Sequence, residues 1–230
     1  MTAALTITRA SYVDTTQLLG TALGAVQWSD VGIDPGHDKL RWKKLFASKF
    51  EGFRRLDRLS KLICIADEAA GIGERSAALG AETALYFGSV YGCLDADLAF
   101  EASLTRPAGL EAGLFPYTLP STALCEVAIR HGLQGPTSAI AVEPDDEAHV
   151  LRLASELIGA GEARACVVCL GDWLPRAAAE QVGVASRTRL GVILLETEEP
   201  DREPPVKVDA LLAARDPLAT LASALSKRSS

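Results

Sequence analysis

The sequence predicts a layered α/β fold in which a mixed sheet is flanked by helices. Apolar strand patterns alternate with helical patterns along the chain. Residues 57–70 have the spacing of an amphipathic helix, and residues 135–172 have in order the patterns of a strand, a sharp turn, a helix and a strand. The 230 residues, 48% of them apolar, suffice for one large domain or two small ones.

The individual elements follow from local patterns. Residues 5–9 alternate as a first strand, and residues 57–70 place Leu59, Leu62 and Ile63 on one helical face before Gly71 ends the helix. The other predicted elements are strands at 82–91, 165–170 and 188–196 and helices at 94–104, 121–131 (capped by Ser121 or Thr122) and 217–225. We divide the chain into a main domain, residues 1–197, and a proline- and charge-rich loop with a short helix, residues 198–230.

Charge and hydropathy limit the partners. The formal charge of −7 disfavours nucleic acid and anionic membranes. No apolar run reaches the roughly 20 residues of a membrane helix, and the N-terminus has no signal-peptide pattern. The five cysteines form no disulfide framework, which indicates the reducing cytoplasm.

Cys166 and Cys169 have CxxC spacing but lie in an apolar strand, where residues three apart point to opposite faces. They cannot readily share one metal ion, and no second ligand pair completes a site. We therefore expect no metal and no cofactor.

Basic residues are concentrated between residues 39 and 61. The segment is either a solvated helix face or a docking surface for an acidic partner. The residues that would carry such docking are Lys43, Lys44, Arg54 and Arg55.

The turn that follows the strand in residues 135–142 occupies a place where many α/β enzymes hold a nucleophile or an anion. Pro144 suits the first position of a helix, and Asp145, Asp146 and Glu147 suit its first turn. The sequence thus predicts a helix start that is stabilised by acids and has no nucleophile.

Several segments together resemble β-ketoacyl synthases of the thiolase fold, over roughly residues 1–197. They are Arg55-Leu56-Asp57-Arg58, the glycine-bounded 88–92, Thr118-Leu119-Pro120-Ser121, Ala128-Ile129, Gly132-Leu133 and Gly135-Pro136. The family places its catalytic cysteine about eight residues after the Gly-Pro pair, and Pro144 stands there in this chain. The histidines that assist condensation belong to the family's C-terminal half, which this chain does not complete, and the stretch after Asp172 is shorter than in the family.

The resemblance implies a chain-length-factor-type subunit, which we expect to have no catalytic activity of its own. Such a subunit pairs with an active β-ketoacyl synthase in fatty-acid or polyketide biosynthesis of the aryl-polyene kind, stabilises it and shapes the acyl tunnel. The implied interface is the strand Thr137, Ser138, Ala139, Ile140, Ala141 and Val142. The loop implied to lie near the tunnel contains Leu114, Phe115, Tyr117 and Leu119.

Two other functions are open. The chain could be a self-associating pseudoenzyme, or a module that binds an acyl group or the acidic acyl carrier protein, through the basic segment. It could also be an acyltransferase that uses Cys93 or Cys125. His131 and His149 are better explained as residues of a helix end and of a helix surface than as catalytic groups.

Overall fold

The computed structural model describes residues 5–37, 39–107, 109–197 and 203–228. One sheet organises the fold, with the strand order β3-β2-β1-β7-β6-β4-β5. The strands are β1 Thr6–Val13, β2 Gln17–Gly20, β3 Gly24–Gln27, β4 Thr83–Ser89, β5 Thr137–Ala141, β6 Ala165–Leu174 and β7 Arg187–Glu196. β4 runs parallel to β5 and β6, and the other pairs are antiparallel. The predicted mixed α/β sheet is therefore confirmed.

Eight α-helices flank the sheet in the described part of the chain. They are α1 Arg58–Ala70, α2 Ile72–Leu79, α3 Leu94–Leu104, α4 Ser121–His131, α5 His149–Gly159, α6 Arg176–Val182, α7 Val208–Leu212 and α8 Pro217–Arg228. One core joins α1, α4 and residues 28–56 to one face of the sheet, and the other joins α5 and α8 to the opposite face. None of the described helices combines the length and apolar composition needed to cross a bilayer.

Helix α1 has the predicted bounds to within one residue. Asp57 is its N-cap and accepts hydrogen bonds from the amides of Ser60 and Leu59, and Gly71 ends it with a φ of 78°. Ten of its 13 residues are buried, since it packs on the sheet on one side and under α4 on the other.

Three sequence predictions were wrong in detail. No side chain caps α4: Pro120 stands at its N-cap, and the Thr122 hydroxyl donates to the carbonyl of Pro116. The basic segment forms two short 3-10 turns, Trp42–Lys44 and Phe53–Arg55, because the buried rings of Trp42 and Phe53 hold it against the core. The hairpin β2–β3 occupies residues for which the sequence predicted no strand.

The C-terminal residues 203–228 pack against the sheet through α8. Leu218, Leu221 and Leu225 are buried in the core on the α5 side. The helix approaches closely because β6 and β7 carry glycines there: a Cβ on Gly191 would lie 2.9 Å from Leu218. Residues 198–202 of the predicted proline- and charge-rich loop lie outside the described residues.

Candidate functional site

The parallel strands β4, β5 and β6 have their C-terminal ends on the same side of the sheet, which we call its carboxyl edge. The polypeptide turns there after β5. The amide of Val142 donates to the carbonyl of Ser89 over 3.0 Å, which prolongs the β4–β5 pairing by one residue. In open α/β sheets this carboxyl edge is the usual place for a ligand or a catalytic group.

The turn itself differs from the sequence prediction. Helix α5 begins at His149 with Ala148 as its N-cap, so Pro144 does not start the helix and the acids do not fill its first turn. His149 is thus the first residue of α5.

Two acids of the turn, Asp146 and Glu147, pair with arginines, so their carboxylates do not cap the helix. Asp146 accepts a hydrogen bond from Nη2 of Arg152 over 2.6 Å, and this bond holds the pKa of Asp146 below its usual range. Glu147 is buried and contacts the guanidinium of Arg187. Pro144 is exposed and brings no nucleophilic atom to the site.

At the carboxyl edge, a network of polar side chains joins the ends of β4 and β6 to the start of β7. Asp172 at the end of β6 accepts hydrogen bonds from the Ser89 hydroxyl, from the amide of Tyr91 over 2.8 Å and from Nε of Arg187 over 3.1 Å. Burial raises the pKa of Asp172, and the hydrogen bonds from the Ser89 hydroxyl and the Tyr91 amide offset part of that effect. The Ser89 oxygen also accepts from the amide of Gly92 over 2.7 Å. Ser89 is therefore bound to a carboxylate and an amide, and not to a histidine that could activate it.

The alternative nucleophile Cys93 lies in an unfavourable environment. It is buried, with Sγ 3.5 Å from Oδ2 of Asp97. Burial, and then the Asp97 carboxylate, raise the pKa of the Cys93 thiol to about 12. Since the thiolate is the nucleophilic form, Cys93 is poorly suited to covalent catalysis. Cys125 lies on the exposed side of α4.

The CxxC pair is buried in β6, as predicted. Cys166 belongs to the core on the α5 side and Cys169 to the core on the α1 side, and burial raises the pKa of both thiols. Among the described residues, no three His, Cys, Asp or Glu side chains are grouped so that they could hold a metal ion.

Sequence reasoning missed the partner of His131. Its Nε2 lies 2.7 Å from Oδ2 of Asp67, a fully buried carboxylate on α1. The pair joins α1 to α4 in the core. One signal could have predicted it, because an aspartate among the apolar residues of a buried helix needs a polar partner.

Strand β5 is the outer strand of the sheet, and Thr137, Ser138, Ala139 and Ala141 are exposed. The carbonyl of Pro136 and the amide of Val142 bond to β4, so the peptide groups of the alternate residues Thr137, Ala139 and Ala141 point away from the sheet. Ile140 is half-buried, and Val142 is buried. Of the six residues predicted as an interface, Thr137, Ala139 and Ala141 therefore carry the free peptide groups of the sheet edge. Ser138, Ile140 and Val142 alternate with them.

Several exposed apolar side chains lie on the segments that precede β5 in the sequence. Phe115 and Leu119 of the predicted loop are 61% and 58% exposed, while Leu114 and Tyr117 are half-buried. The sequence missed three further exposed apolar residues: Leu104, Leu110 and Ile129, the last 79% exposed. Ile129 could have been found, because the buried stripe of α4 at Ala123, Leu124 and Val127 leaves it on the opposite side.

These side chains lie on elements that contact one another in series. Helix α3 packs on the 3-10 helix Ala112–Thr118, which packs on α4, which packs on β5. We refer to the exposed apolar residues of these elements and the free edge of β5 as the 104–141 surface. Its members are Leu104, Leu110, Phe115, Leu119, Ile129, Thr137, Ala139 and Ala141.

A cleft of about 740 Å³ lies beside this surface, between the 51–56 turn and the 3-10 helix. Leu114 and Tyr117 line it together with Arg55 and Glu126. Desolvation raises the pKa of Glu126, and the Arg55 guanidinium partly offsets this.

All four basic residues predicted to dock an acidic partner, Lys43, Lys44, Arg54 and Arg55, are exposed. The ammonium of Lys44 is bound to the carbonyls of Val31 and Gly32 over 3.1 and 3.2 Å, and Arg55 faces the cleft.

Comparison with known proteins supports the same fold. The ishigamide ketosynthase/chain length factor matches with a TM-score of 0.60 at 24% identity, covering 87% of this chain and 64% of that chain. A ketosynthase (ApeO) in complex with its chain length factor (ApeC) from Xenorhabdus doucetiae matches with a TM-score of 0.58 at 16% identity, covering 84% of this chain and 78% of that chain. The complex AntDE:AntF, a type II polyketide synthase acyl-carrier protein with its ketosynthase, matches with a TM-score of 0.57 at 14% identity, covering 85% and 58%.

These matches confirm the predicted thiolase-like fold of the ketosynthase and chain length factor type. The chain spans less than two thirds of the length of the ishigamide and AntDE chains that it matches. No protein-family model matches the sequence, and no curated protein does.

Proposed function

We propose that this chain is a catalytically silent, chain-length-factor-type subunit that pairs with an active β-ketoacyl synthase. The observation that carries the proposal is the combination of a carboxyl edge without a nucleophile and, beside it, a free strand edge with exposed apolar side chains. Pro144 stands in the turn after β5. The charged side chains of Asp172 and Arg187 at the same carboxyl edge are bonded to each other.

The 104–141 surface is suited to a stable partner. Five of the seven large apolar side chains that are exposed in the described residues belong to it. Such patches on a folded protein mark interaction sites, and a free parallel edge strand can accept a further strand. The solved complexes with this fold contain a ketosynthase with its chain length factor, which favours a ketosynthase as the occupant.

Co-expression with a β-ketoacyl synthase from the same genome tests the pairing. We expect the two proteins to co-purify and the ketosynthase to be more soluble with its partner than alone. Absence of a complex, with unchanged ketosynthase solubility and product length, would refute the proposal.

Two variants test whether the ketosynthase contacts the 104–141 surface. Ala139→Pro removes an amide that points away from the sheet and leaves the β4 ladder intact, and Ile129→Asp puts a charge into the apolar patch. Each is expected to weaken the complex at least tenfold. Val182→Asp is the matched control, because Val182 is a 41% exposed apolar residue on α6, outside the surface.

We further propose that Leu114, Phe115, Tyr117 and Leu119 influence the acyl chain that the partner builds. Leu114 and Tyr117 line the cleft, and Phe115 and Leu119 belong to the exposed surface beside it. Phe115→Ala in the complex is expected to shift the distribution of product lengths. An unchanged distribution from an intact complex would show that this loop serves assembly alone.

Binding of the acyl carrier protein is a second candidate function, favoured by the basic residues 39–61. Lys43→Glu with Arg54→Glu is expected to weaken carrier binding in a salt-dependent way, because these exposed side chains are available to an acidic partner. Arg176→Glu with Arg215→Glu makes the same charge change elsewhere on the exposed surface. Equal carrier binding by both variants would remove this candidate.

A further inference from the structure

The charges of this chain are strongly polarised along the sequence. Residues 93–147 carry nine carboxylates and only two guanidiniums, whereas residues 39–61 carry nine basic and two acidic side chains. The 104–141 surface is formed by elements of the acidic region.

Carboxylates adjoin the apolar members of the surface. Glu101 lies one helical turn before Leu104 on α3, and Glu126 lies one turn before Ile129 on α4, so each pair shares a side of its helix. Glu111 follows Leu110 directly, and Glu143 follows the last residues of β5 by two positions. Glu101, Glu111 and Glu143 are exposed, and Glu126 is half-buried in the cleft wall.

The two guanidiniums of this region already have acidic partners. Arg106 contacts Glu111, and Arg130 contacts Glu68 while it lies 4.5 Å above the ring of Trp42. Neither cation therefore neutralises Glu101 or Glu143. Because Arg106 pairs with Glu111 and Arg55 lines the same cleft as Glu126, the excess negative charge of the rim beside the apolar residues comes mainly from Glu101 and Glu143.

We propose that the 104–141 surface is built for a partner whose contact face is apolar at its centre and basic at its rim, and that the acidic rim opposes pairing of two copies of this chain. The proposal rests on the proposed function and adds the charge of the partner to it. Complementary rim charges accelerate association and exclude like-charged partners, whereas the apolar centre supplies most of the affinity.

The test uses a rim variant that combines Glu101→Lys, Glu111→Lys, Glu126→Lys and Glu143→Lys. A control variant combines Glu156→Lys, Glu162→Lys, Glu203→Lys and Asp209→Lys, which makes the same charge change on exposed residues of α5, α7 and their loops. The association rate with the co-expressed ketosynthase is measured by stopped flow at low and high salt. We expect the rim variant to associate about tenfold more slowly than the control at low salt and the difference to shrink at high salt.

A variant with glutamine at the four rim positions provides a second measurement if the lysine variant folds poorly. Its association rate is expected to lie between those of the wild type and the lysine variant. Equal rates for the rim and control variants in a complex that Ile129→Asp still disrupts would overturn the charge proposal and leave the proposed function standing.

Self-association gives a test that needs no ketosynthase. Sedimentation of the wild-type chain, the rim variant and their equimolar mixture is expected to show more dimer in the mixture than in either protein alone, because only the mixture brings opposite rims together. A stable wild-type dimer at low salt, or a mixture that behaves as the average of its components, would overturn the proposal.

Discussion

Arg187 donates a hydrogen bond from Nε to Oδ2 of Asp172 over 3.1 Å, and this pair joins the start of β7 to the end of β6. The same guanidinium contacts Glu147 in the turn after β5. The Arg187 guanidinium is therefore the ion-pair partner of two buried carboxylates, those of Asp172 and Glu147. It ties the turn after β5 to the neighbouring strands.

Replacing Arg187 by methionine should destabilise the protein. The substitution keeps much of the side-chain volume but removes the guanidinium that contacts the buried carboxylates Asp172 and Glu147. Breaking a buried ion pair in this way costs about 3 kcal/mol in the free energy of unfolding. Urea unfolding followed by circular dichroism measures the loss. Arg176→Met is the control, because its ion pair with Glu180 is solvent-exposed and should contribute little. A loss for Arg187→Met as small as that of the control would contradict the role assigned to the network.

Gly88 in β4 should not tolerate a side chain. A Cβ at this position would lie 2.7 Å from Cβ and Cγ1 of Val150, a fully buried residue of α5. We expect Gly88→Ala to lower the free energy of unfolding by about 1–3 kcal/mol, since α5 must move away from the sheet.

A double-mutant cycle identifies the cause. Adding Val150→Ala should recover part of the loss, giving a favourable coupling between the two substitutions. Gly113→Ala is the control, because nothing lies within 4 Å of a Cβ there. Strictly additive effects of Gly88→Ala and Val150→Ala would show that close packing is not the reason for this glycine.

The sequence was sufficient where local physics decides the structure. The periodicity of α1, its Asp57 cap and its Gly71 stop are local features, and the predicted helix agrees with the structure there. The turn after β5 was different, because Pro144 and three acids suit a helix start equally well by local rules. What decides against that start is Arg187, 40 residues or more away in sequence, which holds Glu147 in the interior. The edge position of β5 likewise depends on the strand order and has no local signal beyond its small and polar residues.

Cys93 should be unreactive near neutral pH and should make the protein less stable in alkali. Its folded-state pKa of about 12 lies above the ordinary thiol value of 9.0. A raised pKa means that the stabilisation is fully present below the unfolded value and is lost as the pH rises from about 9 through 12. Cys93→Ala should therefore lose less stability than the wild type between pH 9 and pH 11, measured by urea unfolding at each pH.

Alkylation kinetics check the same thiol directly. At pH 8, iodoacetamide should modify exposed Cys125 well before Cys93, as followed by mass spectrometry of peptides. Asp97→Asn should accelerate the reaction of Cys93, because the carboxylate is the second cause of its raised pKa. Equal alkylation rates for the two cysteines of the folded wild-type protein would contradict the buried, protonated state of Cys93.

Incubation with acetyl or malonyl thioesters should give no covalent adduct on this chain, and a cysteine in place of Pro144 should not restore one. A thiol at the start of a helix is activated by the helix amides and dipole, but Pro144 is exposed and α5 begins five residues later, at His149. The thiol of Pro144→Cys would therefore keep an ordinary pKa and would lack a site that holds the acyl group. Intact-mass spectrometry of the wild type and of Pro144→Cys, with and without thioester, measures acylation, and an active ketosynthase serves as the positive control. An adduct on wild-type Cys125 would support the acyltransferase alternative, and an adduct on Pro144→Cys above the wild-type level would show that the turn retains a working nucleophile pocket.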